Sequence, residues 1–390
     1  MDPESSRTLR SSPAPPASRW REALSLIGNI AALLAILYVF FVAIKLMGAG
    51  SKSLGRGFAE QFLGEGTSSA VLGLLLGIFT TSLVQSSSTV TSMIVGFVAS
   101  GAFGLRTAIP IIMGANIGTT VTNTIVSLGH VNRRREFRRA FAAGILHDIF
   151  NVLAVAVLFP IEQATHVLER AALWLSDLLV GQSLGEFEGL KRLIEPVIDG
   201  VRRLVPSDGL LLLLSLLLLF ASLALLVKFM RSLMLNRIAH LIEGVLFRNA
   251  ATSMTLGFGI TVLVQSSSVT TSLIVPLVGG GILRLRQVFP YLLGSNVGTT
   301  VTALLASLAF AATGSALDAA RAALGVTTAL VHTLFNVLGI AIWYPLRRVP
   351  INLARRVAWT ASRSRRRVVL FVAGYFAAYL IPLALLLLLR

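Results

Sequence analysis

The sequence predicts an all-α integral membrane protein of two inverted-topology repeats, each with a re-entrant helical hairpin carrying Gln-Ser-Ser-Ser and a broken transmembrane helix. Three observations carry this prediction. Of the 390 residues, 55% are hydrophobic and only 13% charged, against roughly 25% charged in soluble domains. Residues 80–129 recur at 260–309 without a gap, with 25 of 50 positions identical. Equivalent loops of the two copies also carry opposite charge bias.

The spans come first. Apolar runs near the roughly 20 residues that cross a bilayer core as helix are clearest at 24–44, 141–159, 210–227, 326–343 and 368–389. Residues 1–22 are rich in Pro, Ser and Arg. They read as a disordered, basic, cytoplasmic N-terminus and not as a signal peptide, because the apolar run behind them is long enough to span. The absence of Cys excludes disulfides, thiol catalysis and Cys-ligated metal. The net charge of +17 does not point to nucleic acid. The basic residues sit in short loops between apolar segments, as the positive-inside rule produces.

The repeat organises the chain. Both copies contain Leu-Val-Gln-Ser-Ser-Ser, giving Gln85, Ser86, Ser87, Ser88 and Gln265, Ser266, Ser267, Ser268. Both then contain Gly-x-Asn-x-Gly-Thr-Thr-Val-Thr, with Asn116, Thr119, Thr120 in the first and Asn296, Thr299, Thr300 in the second. His147-x-x-Phe150-Asn151 matches His332-x-x-Phe335-Asn336 at an offset of 185. Such internal symmetry is common in transporters. The expected organisation is repeat 1 over 23–161, an extracytoplasmic linker over 162–208 and repeat 2 over 209–346. A basic cytoplasmic segment over 347–367 and a C-terminal transmembrane helix over 368–390 follow.

Charge gives the orientation. Residues 133–139 hold five Arg and one Glu, whereas the matching 313–321 hold one Asp and one Arg. Residues 162–208 hold eight acidic and five basic residues, whereas 347–367 hold eight Arg and no acid. Opposite bias places equivalent loops on opposite sides, with the N-terminus cytoplasmic and 162–208 external. Between an external 45–65 and a cytoplasmic 133–139 lie two segments, 70–99 and 107–128, and two full crossings would give the wrong parity. The segment 70–99 is therefore read as re-entrant, because its centre is polar and irregular backbone at membrane depth needs protein or water around it. By repeat symmetry 252–279 is the second hairpin.

Each Gln-Ser-Ser-Ser supplies an amide and three hydroxyls able to donate or accept. At a hairpin tip they lie beside unpaired backbone N–H groups, which suit an anion, and beside terminal carbonyls, which suit a cation such as sodium. Isolated Ser and Thr in membrane helices often serve only packing or backbone hydrogen bonds, but packing does not require Gln and three Ser twice over. The Gly pairs around Asn116 (Gly114, Gly118) and Asn296 (Gly294, Gly298) either break the helix and expose carbonyls, or permit close packing. Asp148 lies in an apolar stretch and matches Thr333 in the second copy. It either binds an additional cation or pairs at the interface with Arg138 or Arg139. His147 and His332 read as hydrogen-bonded side chains and not as ligands. Arg106 and Arg286 either steer an anion or anchor the hairpins at the headgroups.

These residues resemble the type II sodium-dependent phosphate cotransporters, including their bacterial members. The likeness rests on the paired Gln-Ser-Ser-Ser motifs, on the run from Ile109 to Thr119, and on the stretch from Glu136 to Phe141 that leads into His147 and Asp148. It extends over about 24–347. The resemblance implies a sodium-coupled importer of inorganic phosphate working by alternating access, and no enzyme. It implies that the two tetrapeptides hold phosphate and sodium, with Asn116, Thr119, Thr120 and their counterparts beside them. It further implies an Asp at position 148 with Asn151 three residues on, and hence net positive charge entering per cycle; Asp148, Asn151 and Asn336 are candidate sodium ligands on this ground. The likeness departs at His130 and Arg133, where animal members carry a Gln and an acidic residue, which leaves the sodium count open. The expected location is a bacterial inner membrane, with membrane lipids as surroundings and a homodimer plausible. No cofactor and no metal other than Na+ are expected.

Proton coupling or another oxyanion such as arsenate or sulfate is the main alternative. A channel is disfavoured by the duplicated hairpins. An intramembrane serine hydrolase needs one unique nucleophile with an oriented His, whereas here Ser is triplicated and the motif duplicated.

Overall fold

The computed structural model describes residues 19–63, 70–119, 121–180, 188–245, 249–311, 316–364, 366–371, 373, 374, 377 and 381. Among them every regular element is a helix. In chain order these are α1 (Arg19–Leu63), α2 (Ala70–Val84), α3 (Ser87–Ala99), α4 (Leu105–Gly118), α5 (Val121–Leu128), α6 (Arg134–Thr165), α7 (Val167–Val180) and α8 (Glu188–Leu204). They continue with α9 (Asp208–Val245), α10 (Ala250–Val264), α11 (Ser267–Ser272), α12 (Ile274–Gly279), α13 (Leu285–Ala311), α14 (Ala316–Trp343) and α15 (Arg348–Ala361).

Six helical stretches among the described residues are long and apolar enough to cross a membrane: Leu26–Met47, Leu105–Leu128, Arg134–Thr165, Asp208–Phe229, Leu285–Leu308 and Ala323–Trp343. Four of them overlap apolar runs read from the sequence. The fifth run, 368–389, lies mostly outside the described residues, as does 1–18 of the expected disordered start; 19–22 belong to α1. The segment 162–208 is largely helical, folded into the end of α6, α7 and α8.

Two apolar helices too short to span, α2 and α10, each end at a Gln in the left-handed region, Gln85 (φ 58°) and Gln265 (φ 56°). The next helix, α3 or α11, starts there, capped by Ser86 or Ser266 in extended conformation, whose side chain accepts from the N–H of Thr89 or Val269. The returning helix is continuous in the first copy. In the second it is interrupted at Leu273 between α11 and α12, because Pro276 has no N–H for the carbonyl of Ser272 and its ring crowds that carbonyl. Gly101 and Gly281 (φ +80° each) turn the chain at equivalent places after the two returning helices, a conformation that only Gly adopts without penalty.

The arms of each reversal pack differently. α2 lies along α4 and α10 along α13, each within its own copy, while α3 packs on α13 and α14 of the other copy as well as on α1 and α4, and α12 packs on α5 and α6. The shared core includes Phe150 of α6 against Phe289 of α13, ring centroids 6.1 Å apart and edge to face. A second apolar cluster joins Phe40, Ile44 and Met47 of α1 to Leu219 and Leu223 of α9.

The expected broken helix needs correction in the second copy. In the first copy the place of the expected break, Thr120 between α4 and α5, lies outside the described residues, whereas α13 runs unbroken from Leu285 to Ala311. The glycines are used for contact. A Cβ on Gly114 would strike the carbonyl oxygen of Leu74, and one on Gly294 that of Met254; opposite them, a Cβ on Gly77 or Gly257 would strike the carbonyl of Ile111 or Tyr291. Backbone thus lies on backbone, the use membrane helices make of small residues. A helical Gly costs about 1 kcal/mol relative to Ala, and close packing over the whole α10–α13 face offsets it without opening the helix.

Candidate functional site

A deeply buried polar cluster lies between α4, α6, α13 and α14. Asn116, His147, Asn151, Asn296, His332 and Asn336 are each no more than 3% exposed. Buried polar groups tend to find partners, and these find several across the repeat, although Nδ1 of His147 and His332 and Oδ1 of Asn336 have none among the described residues. His147 Nε2 bonds Asn296 Oδ1. Asn296 Nδ2 donates to Asn151 Oδ1 at 2.7 Å, and Asn151 Nδ2 donates to the Asn116 carbonyl at 2.7 Å. The equivalent residues of the second copy also meet, with the Asn–Asn bond running the other way: His332 Nε2 (3.3 Å) and Asn336 Nδ2 (3.4 Å) both face Asn116 Oδ1. The proton positions follow from this inventory. Both Asn amide nitrogens are committed as donors, Asn116 to the Ile112 carbonyl at 2.9 Å, so each Oδ1 accepts and each His carries its hydrogen on Nε2.

The i, i+4 spacing of His147/Asn151 and of His332/Asn336 puts each pair on one helix face. Each such pair meets the Asn of the other copy's Gly-x-Asn-x-Gly motif. The two repeats therefore interlock through residues that the sequence repeats.

The tetrapeptides sit at the two reversals. Ser87, Ser88, Gln265, Ser267 and Ser268 are buried, and Gln85, Ser86 and Ser266 are half-buried. Each Gln folds back on its own helix end, Gln85 Nε2 to the Ser82 carbonyl and Gln265 Nε2 to the Val262 carbonyl. Gln265 Oε1 also accepts from Thr302 at 2.6 Å. The second tetrapeptide reaches the first copy, where Ser268 Oγ donates to the Thr119 carbonyl at 3.2 Å. Non-glycine residues at positive φ carry strain and cluster at functional sites. Gln85 and Gln265 are two of the three found among the described residues.

The threonines behave differently from the serines. Thr119 donates to the Ala115 carbonyl, Thr299 to that of Asn296 and Thr300 to that of Val297. A hydroxyl that spends its hydrogen on its own helix presents only oxygen lone pairs to a ligand. That suits a cation. An oxyanion needs donors, and the returning helix α3 offers them in unpaired N–H groups at its start.

Thr120 lies outside the described residues. Asp148 is buried on α6 beside His147, and Thr333, its counterpart, donates to the Ala329 carbonyl at 3.2 Å. Arg106 turns away from the cluster to pair with Glu169 at 3.1 Å, and Arg286 is exposed. Glu162, His166 and Glu169 bring potential ligand atoms within 4.8 Å of one another. The Glu162 carboxylate there accepts from the N–H groups of Leu168 and Glu169 at 2.6 and 3.2 Å, and Arg106 occupies Glu169, which makes the group a joint between α6 and α7.

Two contacts were not anticipated from the sequence, one within the second copy and one between the copies. Thr302 belongs to the repeated motif, so its role at Gln265 was open to detection. Asn123 exchanges hydrogen bonds with Thr271 at 2.8 and 3.0 Å, and because Ala303 is its counterpart, comparison of the repeats is blind to it.

The sequence profile described as Na+/Pi-cotransporter matches residues 39–184 and 217–342. The chain belongs to that family. It is a multi-pass membrane protein and not an enzyme. Among curated proteins it is 33% identical over 454 residues to sodium-dependent phosphate transport protein 2B of Pongo abelii, covering 92% of this chain and 65% of that one. It is 33% identical over 460 residues to the 2B protein of Homo sapiens, covering 92% and 64%. To the 2A protein of Rattus norvegicus it is 33% identical over 460 residues, covering 96% and 71%. The chain thus spans about two thirds of the length of these relatives. No solved structure matches it.

Proposed function

We propose that this chain imports inorganic phosphate by alternating access, driven by sodium and with net positive charge entering per cycle. The observation that carries the reading is the mirrored pairing of His147 and Asn151 with Asn296, and of His332 and Asn336 with Asn116. A transporter of inverted repeats needs a site at the repeat interface, shared by equivalent parts of both. The two copies meet through these polar residues, and family membership supplies the substrate and the coupling ion.

In this mechanism α2–α3 and α10–α12 are re-entrant hairpins. Phosphate takes donors from Ser86, Ser87, Ser88 and the first N–H groups of α3, with the equivalent hydroxyls Ser266 and Ser267 opposite, while Ser268, whose hydrogen goes to the Thr119 carbonyl, offers its lone pairs to sodium. Sodium takes oxygen from Thr119, Thr299 and Thr300, and Thr120 extends that set. Asp148, Asn151 and Asn336 are lower-ranked sodium ligands. Each hairpin has one arm on its own repeat and the other on its partner, so a shift of one repeat against the other moves the tips together and opens one side while closing the other. The Arg-rich segments 133–139 and 347–367 face the cytoplasm, and 162–208 faces out.

Uptake of radiolabelled phosphate into proteoliposomes tests the reading. Accumulation with an inward sodium gradient, lost when choline replaces sodium, is expected. Equal uptake in choline with an inward proton gradient moves the coupling to protons, and accumulation of arsenate or sulfate in preference to phosphate reassigns the substrate.

A further inference from the structure

A second basic feature lies away from the hairpin tips. The start of α6, the turn that joins α12 to α13, and α15 line a solvent-open cavity of about 740 Å³ bounded by the exposed side chains of Arg138, Arg139, Arg284, Arg355, Arg356 and Trp359. These elements are far apart in sequence, yet five guanidinium groups converge on one space. No carboxylate lines it, and among the described residues none of the five forms an ion pair.

The fold holds this arrangement in place. Helix α15 buries Pro350, Ile351, Ala354, Ala358 and Ala361 and leaves Arg355 and Arg356 on its outer face. Arg134 at the start of α6 donates to the Ser362 carbonyl at 2.7 Å, which ties the end of α15 to α6. Gly281 has φ +80°, and a Cβ there would strike the Arg139 guanidinium, so the turn admits that side chain against its backbone. Trp359 stacks under the guanidinium of Arg363, 3.6 Å from its ring centroid.

Like charges held together are unfavourable unless an anion sits among them. Guanidinium forks match phosphate oxygens two at a time, and a Lys cannot do this. The volume falls within the roughly 300–1,000 Å³ of small-ligand pockets, which is ample for more than one phosphate group. Positive-inside bias alone accounts for basic loops. It does not account for three separate elements facing their arginines into one cavity.

We propose that this cavity is a separate anion site for a ligand bearing two or more clustered phosphate groups, supplied either by an anionic diphosphate lipid headgroup or by a soluble diphosphate. Its side of the membrane rests on the orientation proposed above; its binding does not.

Equilibrium binding of radiolabelled pyrophosphate to the full-length, delipidated chain in neutral detergent tests this, in choline buffer without sodium so that the sodium-coupled site stays idle. Saturable binding is expected, falling steeply as ionic strength rises. R355Q/R356Q should weaken it at least tenfold, and R355K/R356K should recover only part. R284Q, on a different element, should produce the same kind of loss, so misfolding of the α15 variant does not decide the matter. In lipid nanodiscs, displacement of pyrophosphate by cardiolipin but not by phosphatidylcholine assigns the site to a headgroup, and lack of displacement assigns it to a soluble ligand. Absence of pyrophosphate binding together with no preference for cardiolipin, or binding unchanged in both R355Q/R356Q and R284Q, overturns the proposal. A chain that fails to transport phosphate yet binds pyrophosphate leaves it standing.

Discussion

His147 on α6 gives its Nε2 hydrogen to Asn296 on α13, a contact across 149 residues of sequence and between the two repeats. Its mirror joins His332 to Asn116. Asn296→Ala would strand the imidazole and the Asn151 side-chain Oδ1 together. A buried group left unpaired costs about 1–3 kcal/mol, although single hydrogen bonds within membranes average only about 0.6 kcal/mol. Two stranded groups favour the higher range. Thermal unfolding in detergent should show a loss of about 1–3 kcal/mol, with at least a tenfold fall in uptake. The double variant with His147→Ala should lose less than the sum of the singles; strict additivity would mean that the contact carries no coupling.

The glycine faces give a sharper stability test. In Gly294→Ala the methyl group meets the Met254 carbonyl, and in Gly114→Ala that of Leu74, so α13 or α4 must move off its neighbour. Forced separation of packed elements costs about 1–3 kcal/mol or more. Gly28 on α1 has nothing within 4 Å of its would-be Cβ, and Gly28→Ala should be neutral or stabilising by up to about 1 kcal/mol through helix propensity. Comparable folded yields for all three by size-exclusion chromatography would contradict this account of the glycines.

The same glycines show where sequence reading stops. Four of the spans and the duplicated motifs were legible, because apolar run length and Gln-Ser-Ser-Ser are local properties. Gly114 and Gly294 were open to two readings, a helix break or a close contact. Only the neighbouring carbonyls of Leu74 and Met254 decide between them, and those depend on tertiary packing. His147 and His332 could be read as hydrogen-bonded, but their partners could not be named. The Asn123–Thr271 pair left no trace, since one repeat has Asn where the other has Ala303.

Arg106 offers a test between steering and anchoring. Its guanidinium is 72% exposed and pairs with Glu169, and exposed pairs contribute about 0–1 kcal/mol. Arg106→Ala should therefore leave the Michaelis constant for phosphate within about twofold and stability within about 1 kcal/mol. A large rise in that constant, strongest at low ionic strength, would instead mean that Arg106 draws phosphate in.

Asp148 breaks the symmetry of the repeats, since Thr333 stands at its counterpart. A carboxylate buried at that point in α6 is suited to one extra cation. Asp148→Asn should retain sodium-dependent phosphate uptake while its stimulation by an inside-negative potential disappears. Valinomycin-clamped proteoliposomes measure this; undiminished stimulation would remove Asp148 from the charge-moving step.

The most direct measurement compares sodium-driven accumulation of phosphate in wild type, Gln85→Ala and Gln265→Ala, with each protein shown to be folded and inserted. The account predicts accumulation in wild type and a loss of at least tenfold in both variants, because the two reversals form halves of one site. Accumulation that survives in either variant, or that proceeds in wild type without sodium, would contradict it.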